Sequence, residues 1–191
     1  MGLRIALQLY SLRHELQKNF EAVLESVAHM GFEGVEFAGF YGKDPSILRE
    51  TLQRLGLEVA GAHIPITAFI GQELEGTISF NKALGNRYLV IPALPEEMRK
   101  TKSDWIRFSE TLNSLAEKLK QHGMRVGYHN HRIEFIAVDG ERPWDIVFSR
   151  TSSEVIMQLD VGNALSAQLT DRDIIDVIKR YRGRAITVHA K

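Results

Sequence analysis

The sequence predicts a (β/α)8 barrel that is incomplete in the 191 residues given, with seven strands and without the eighth strand–helix unit. Short apolar runs alternate with longer segments of helical periodicity, which is typical of parallel βαβ units. Polar residues follow nearly every run, and a barrel gathers its strand ends around one mouth. An open doubly wound sheet is the alternative, but no Gly-x-Gly-x-x-Gly loop follows the first run. We expect one domain over residues 1–191, truncated at its C-terminal end.

The predicted strands are short and apolar, and most are bounded by glycine or proline. In chain order they are Ile5–Leu9, Gly34–Phe37, Leu57–His63, Tyr88–Ile91, Arg125–His129, Val155–Asp160 and Ala185–Ala190. Their near-even spacing along the chain, with a helical segment in each interval, is what a barrel of strand–helix units requires.

The helices between the strands are predicted from apolar residues that recur every three or four positions. Asp44 is expected to cap the second helix with Pro45 at its first position, and Ser103 is expected to cap the fourth. Glycines after several helices suit the left-handed conformation that ends a helix. The predicted helices are Leu16–Met30, Pro45–Leu55, Glu73–Leu84, Asp104–His122, Pro143–Arg150 and Asp171–Tyr181.

Composition excludes several classes of function. Lys+Arg and Asp+Glu are both 24, and the chain lacks the basic excess typical of proteins that grip a phosphate backbone. It contains no cysteine, which excludes disulfides, thiolate catalysis and cysteine-based zinc sites. No signal-peptide pattern and no apolar run near the ~20 residues of a membrane span is present. We therefore expect a cytoplasmic protein without a nucleic-acid or membrane partner.

The last three predicted strands each end in side chains that can bind a metal ion. His129 closes the fifth strand and is followed by His131 and Glu134, Asp160 closes the sixth, and His189 lies at the end of the seventh. Each has an ordinary structural interpretation, as a solvated loop residue or a turn cap. Their delivery to one rim favours a site for Mn²⁺, Mg²⁺, Co²⁺ or Zn²⁺, which accept nitrogen and oxygen ligands.

Three earlier strand ends carry polar residues with weaker implications. Gln8 could bind a polyol or cap the first turn. Glu36 and His63 could contact a substrate or hold other site residues through hydrogen bonds.

Several segments match one known family, and they occur in order along the whole chain. These segments are Gln8–Arg13, Gly31–Glu36, Leu55–Leu57 leading to His63, Tyr128–His131 with Glu134-Phe135, Leu159–Asn163 and Val188–Lys191. No single segment is specific, but together they make the chain resemble the sugar phosphate isomerase/epimerase family, the xylose isomerase-like barrels that include inosose dehydratases, hydroxypyruvate isomerases, ketose 3-epimerases and endonuclease IV.

The resemblance implies a metal site and a substrate pocket. Its ligands after strands five, six and seven correspond to Glu134, Asp160 and His189, with His129 and His131 as competitors for the first position. The fourth family ligand, a Glu after strand eight, has no counterpart in the residues given. Glu134 is also the expected catalytic acid or base. The residues expected to bind substrate are Gln8, Glu36, His63, His129, His131, Asn163 and Lys191.

The function implied is that of a divalent-metal-dependent isomerase, epimerase or hydro-lyase acting on a keto-sugar, sugar phosphate or cyclitol through an enediolate. Asn163 stands where many relatives have a histidine that binds substrate. One alternative is a non-catalytic or fragmentary barrel that binds a sugar, or forms a homo-oligomer that covers the open barrel edge. Another is an endonuclease IV-like repair enzyme, which the neutral charge disfavours.

Overall fold

The structure, a computed structural model, describes residues 2–191. Its backbone divides into two compact units, one ending at Leu89 and the other comprising Val90–Lys191. Among the described residues, seven strands follow one another in a sheet in the order of the chain, as in a β/α barrel. The predicted fold class is confirmed. The expectation of a single domain stays a prediction.

The first unit is built from parallel strands joined by helices. The strands β1 (Ala6–Gln8), β2 (Gly34–Ala38) and β3 (Glu58–His63) pair in chain order. Its helices are α1 (Arg13–Lys18), α2 (Phe20–His29), α3 (Pro45–Leu55) and α4 (Glu73–Leu84). The next strand, β4 (Tyr88–Ile91), contains the boundary between the two units.

The predicted helix Leu16–Met30 is wrong as a continuous element, because the chain leaves helical geometry at Asn19. The backbone there has φ −152° and ψ 89°, and the Asn19 side chain accepts a hydrogen bond from the backbone N–H of Ala22. Asparagine favours this role because its short side chain satisfies a backbone donor at a helix start. By contrast, Asp44 caps α3 with Pro45 in its first turn, as predicted.

The second unit continues the alternation. Its strands are β5 (Arg125–His129), β6 (Ile156–Asp160) and β7 (Val188–His189). Its helices are α5 (Lys102–Lys120), α6 (Pro143–Arg150), α7 (Val161–Ser166) and α8 (Asp171–Arg180). The strand β7 is shorter than the predicted Ala185–Ala190, and the short helix α7 was not predicted. Within residues 2–191, no helix is long and apolar enough to cross a membrane.

The start of α5 differs from the prediction, which placed the cap at Ser103. Thr101 is the N-cap, and it forms a capping box with Asp104: its side chain accepts from the Asp104 backbone, and Asp104 accepts from the Thr101 N–H. Such a box satisfies two backbone donors that the helix leaves unpaired. Ser103 could not form one, because the third residue after it is Ile106.

A buried arginine holds the chain that enters β7. The guanidinium of Arg184 donates to the carbonyl oxygens of Val155, Phe148 and Thr151, at 2.8–3.2 Å. Arg184 is only 5% exposed, and desolvation lowers the pKa of its guanidinium to about 10. These bonds tie the segment before β7 to β6 and α6, and so fix where the residues of β7 begin.

We predict that Gly34→Ala destabilises the protein by about 1–3 kcal/mol, as overpacking of a filled site does. A Cβ at Gly34 would lie 2.6 Å from the carbonyl oxygen of Glu58, its partner on β3. Gly76 in α4 is the matched control, since a Cβ there meets nothing within 4 Å. Gly76→Ala should stabilise by about 0.5–1 kcal/mol, the cost of glycine in a helix interior. Urea unfolding measures the stability of both variants. Equal changes in the free energy of unfolding would contradict the close contact between Gly34 of β2 and Glu58 of β3.

Candidate metal centre

The strand register places several polar side chains on one face of the second unit. His129 of β5 aligns with Gln158 of β6, and Asp160 of β6 aligns with His189 of β7. Side chains alternate between the faces of a sheet, and aligned residues on neighbouring strands share a face. Since Gln158 and Asp160 are two positions apart, all four share one face. Thr187, which precedes β7, joins this group by accepting a hydrogen bond from the amide nitrogen of Gln158.

The carboxylate of Asp160 lies at the centre of this group and is fully buried. Its Oδ2 oxygen is 2.7 Å from Nζ of Lys191, 3.7 Å from Nε2 of His129 and 3.7 Å from Nδ1 of His189. The two imidazole rings have centroids 4.8 Å apart. Within residues 2–191, Oδ2 makes no hydrogen bond of standard geometry, and the ammonium of Lys191 compensates its charge.

Two asparagines fix the backbone where β6 ends. Asn130 is fully buried, accepting from the Asp160 N–H at 2.7 Å and donating to the Asp160 carbonyl at 3.0 Å. Asn163 donates from its backbone to Oδ1 of Asp160 at 2.7 Å, and from its side chain to the carbonyl of Asn130 at 2.9 Å. The Asp160 carboxylate is therefore held in one orientation, with Oδ1 used as the cap of α7.

The ring of His129 is oriented by Gln158. Its Nδ1 is 3.0 Å from Oε1 of Gln158, and the Gln158 amide nitrogen donates to Oγ1 of Thr187 at 2.9 Å. An amide oxygen is an acceptor, so this contact requires the proton of His129 on Nδ1. In the neutral ring, Nε2 then carries the lone pair, and it faces Oδ2 of Asp160.

The Asp160 carboxyl is ionised at neutral pH. Burial raises its pKa, but contacts with His189 and Lys191, together with the Asn163 N–H, outweigh that effect and hold the pKa well below its usual value. Hydrogen bonds and positive charges close to a carboxylate favour its charged form.

This donor set fits a divalent cation. One carboxylate oxygen and two imidazole nitrogens are ligands that Zn²⁺, Mn²⁺ and Co²⁺ accept. The ring nitrogens offered by His129 and His189 lie within 4.8 Å of each other. Two ligands bound at about 2.0–2.1 Å in tetrahedral geometry lie roughly 3.3 Å apart, so separations of 3.7 Å need only small side-chain rotations.

Glu134 occupies a different environment from the one predicted. It is fully buried, its Oε1 accepts from the Tyr128 hydroxyl at 2.6 Å, and its Oε2 accepts from the His131 N–H at 2.7 Å. Tyr128 packs edge-on against Trp105 and Phe108 of α5, so it lies on the helix-covered face of β5. The roles of Glu134 as ligand and catalytic group stay predictions.

Three more residues that the sequence predicts for the site lie near Asp160 or His129. Lys191 is exposed but reaches Asp160, as described above. His131 is exposed, with its ring centroid 5.1 Å from that of His129. Asn163 uses both its backbone and its side chain to support Asp160 and Asn130. Substrate binding by these residues stays a prediction.

The three predicted residues of the first unit contact one another. Gln8 donates to Oε2 of Glu36 at 2.6 Å, and Nε2 of His63 lies 3.6 Å from the same oxygen. Glu36 is 4% exposed, so its carboxylate is held by neighbours rather than by bulk water. A carboxylate next to an imidazole can bind a hydroxyl group or move a proton.

Sequence reasoning missed two residues of the centre, Gln158 and Asn130. Gln158 carried a usable signal, because it lies two positions before Asp160 in a strand and must therefore share its face. Asn130 carried none, since the residue after a strand end has no fixed direction. Its role depends on reaching across to the backbone of Asp160.

The sequence model of the xylose isomerase-like TIM barrel family matches residues 24–191, and the chain belongs to that family. Curated relatives include the inosose dehydratases of Erwinia tasmaniensis and Clostridium perfringens, each 24% identical over 92% of this chain. The chain spans 64% of the length of these enzymes.

Solved structures have the same fold. A sugar phosphate isomerase/epimerase from Parabacteroides distasonis superposes with a TM-score of 0.80 at 25% identity, covering 99% of this chain and 75% of its own. The IolI protein, solved with a bound zinc atom, superposes with a TM-score of 0.70 at 15% identity, covering 98% of this chain and 72% of its own. The second likeness concerns the fold alone.

We predict that Tyr128→Phe destabilises the protein by about 1.5–3 kcal/mol, the usual worth of a hydrogen bond to a charged group. Burial, then the charge and hydrogen bond of Glu134, raise the pKa of Tyr128 well above its usual value. A raised folded-state pKa gives stability that is complete below the unfolded pKa, about 10, and is lost in more alkaline solution.

Urea unfolding from pH 7 to 11 measures this effect. Tyr10→Phe is the matched control, because Tyr10 is exposed and should change stability little. Equal stability of the Tyr128 and Tyr10 variants at pH 7 would contradict the Tyr128–Glu134 contact.

Proposed function

We propose that the protein is a divalent-metal-dependent enzyme that enolises a keto-sugar or cyclitol, as an isomerase, epimerase or hydro-lyase. One observation carries the proposal: Oδ2 of Asp160 is approached by ring nitrogens of His129 and His189 at the carboxyl ends of their strands. Active sites of β/α barrels are built at those ends. The dehydratase and epimerase relatives support the choice of a polyhydroxylated substrate with a carbonyl group.

Three side chains of the second unit would take part in the proposed reaction. Asp160 and His189 would hold the ion, which when bound would polarise a substrate carbonyl as a Lewis acid. Lys191 would bring a positive charge that stabilises a developing oxyanion. The proposed partner is a small sugar rather than a macromolecule.

We predict that Asp160→Asn lowers zinc affinity by at least about 100-fold, more than the loss of a ligand's supporting partner costs. The asparagine keeps an oxygen for the Asn163 N–H, so the backbone at the end of β6 should persist. Asp176→Asn, on the exposed face of α8, is the matched control and should bind as the original protein does. Isothermal calorimetry with zinc chloride measures both. Stoichiometric binding retained by Asp160→Asn would remove the proposed site.

The enolisation itself is tested separately with metal-loaded protein. We expect one or more substrates in a panel of keto-sugars and inososes to exchange the C–H hydrogen next to the carbonyl for deuterium in D₂O, measured by proton NMR. A hydro-lyase would also release water and form an unsaturated product. If no substrate exchanges hydrogen or loses water with fully loaded protein, the proposed reaction class is wrong.

A further inference from the structure

The side chain that β5 contributes to the metal centre can be assigned from the strand geometry. We infer that His129, and not Glu134, is the β5 ligand, which it supplies through Nε2 alongside Asp160 and His189. Gln158 positions its ring. This inference rests on the proposed metal-dependent function and departs from the ligand that the family resemblance implies.

The two faces of β5 separate the candidates. His129 aligns with Gln158 and shares a face with Asp160 and His189. Tyr128 precedes it by one position, so its side chain lies on the opposite face. Glu134 is joined to the hydroxyl of Tyr128. The Glu134 carboxylate is therefore bound to the helix-covered layer, whereas the His129 ring contacts the metal-binding residues.

The hydrogen bonds of Glu134 oppose its movement to the metal. Both of its oxygens accept short hydrogen bonds within a fully buried environment. A move toward Asp160 would leave the buried Tyr128 hydroxyl and the His131 N–H without an acceptor. Each buried polar group left unsatisfied costs about 1–3 kcal/mol.

His129 is instead arranged as metal-binding histidines are. Such a histidine donates its second ring N–H to an oxygen acceptor, which fixes the tautomer and the ring direction. The Nδ1 contact with Oε1 of Gln158 has this form, and Thr187 holds the Gln158 amide. Nε2 is then directed at Oδ2 of Asp160. His129 is a residue of β5 and is only 4% exposed, so the strand and its packing fix the position of the ring.

Zinc binding to single variants tests the assignment without reference to turnover. We expect His129→Ala and His129→Gln to lose at least about 100-fold in zinc affinity, and Glu134→Gln to change it by less than about threefold. In Glu134→Gln the amide can still accept from the His131 N–H and donate to the Tyr128 hydroxyl, so the fold should persist. His122→Ala replaces an exposed histidine and is the control for binding at the surface.

Long-range ¹H–¹⁵N NMR of the histidine rings gives an independent readout. In the zinc-loaded protein, Nε2 of His129 should carry the metal-induced shift while Nδ1 keeps its proton. Zinc affinity lost in Glu134→Gln and retained in both His129 variants would overturn the assignment, as would no zinc binding by the original protein. Zinc bound through His129 without any hydrogen exchange on sugars would leave the assignment intact and contradict only the proposed reaction.

Gln158 is a positioning residue, so its replacement should act through His129. We expect Gln158→Leu to lower zinc affinity about 10–100-fold, the usual effect of removing a partner that orients a ligand. Gln158→Glu should restore the affinity, because a carboxylate accepts the same Nδ1 proton. A merely structural role would make both variants bind equally well or equally poorly, and either result would overturn this role.

Discussion

A carboxylate with no exposure to solvent ends the strand β6, and the second unit is organised around it. Removing such a charge from water costs several kcal/mol, so interactions with neighbouring groups must offset that desolvation cost. Asn163 and Lys191 supply a backbone donor and a positive charge, while Asn130 fixes the peptide group of Asp160 itself. The register of β5 and β7 against β6 places His129 and His189 next to Asp160. The surroundings of the buried charge therefore depend on how the strands pair.

Side chains alternate along β5, so Tyr128 faces the helices while His129 faces Asp160. On one side, Tyr128 packs among the aromatic residues of α5 and α6 and holds Glu134 in a fully buried position. On the other side, His129 meets Gln158 and Asp160. Glutamate and histidine are both common metal ligands, so residue type does not separate them. Their contacts do, because Glu134 accepts a hydrogen bond from Tyr128, whose side chain lies on the face of β5 opposite to that of His129.

The sequence predicted most of the fold because repeating strand–helix units impose a period that apolar residues reveal. It also predicted that Asp160 and His189 lie close together, since both come at the ends of neighbouring strands. It failed where a local side chain competes with periodicity, as at Asn19, which ends one helix and caps the next. It also could not place Glu134, whose hydrogen bonds depend on how the loop after β5 folds back on Tyr128.

The contacts of Asp160 differ in how firmly they are fixed. The side chain of Asn130 binds the backbone of Asp160, and the backbone N–H of Asn163 binds the Asp160 carboxylate. Neither contact can break without disturbing β6 or α7. Lys191 differs from both, because its side chain is 59% exposed and its ammonium can return to water. A carboxylate oxygen attracts an ammonium group and a divalent ion alike, because both carry positive charge. Lys191 therefore compensates the charge of Asp160 reversibly, and under the proposed function the divalent ion would take its place at the cost of one ion pair.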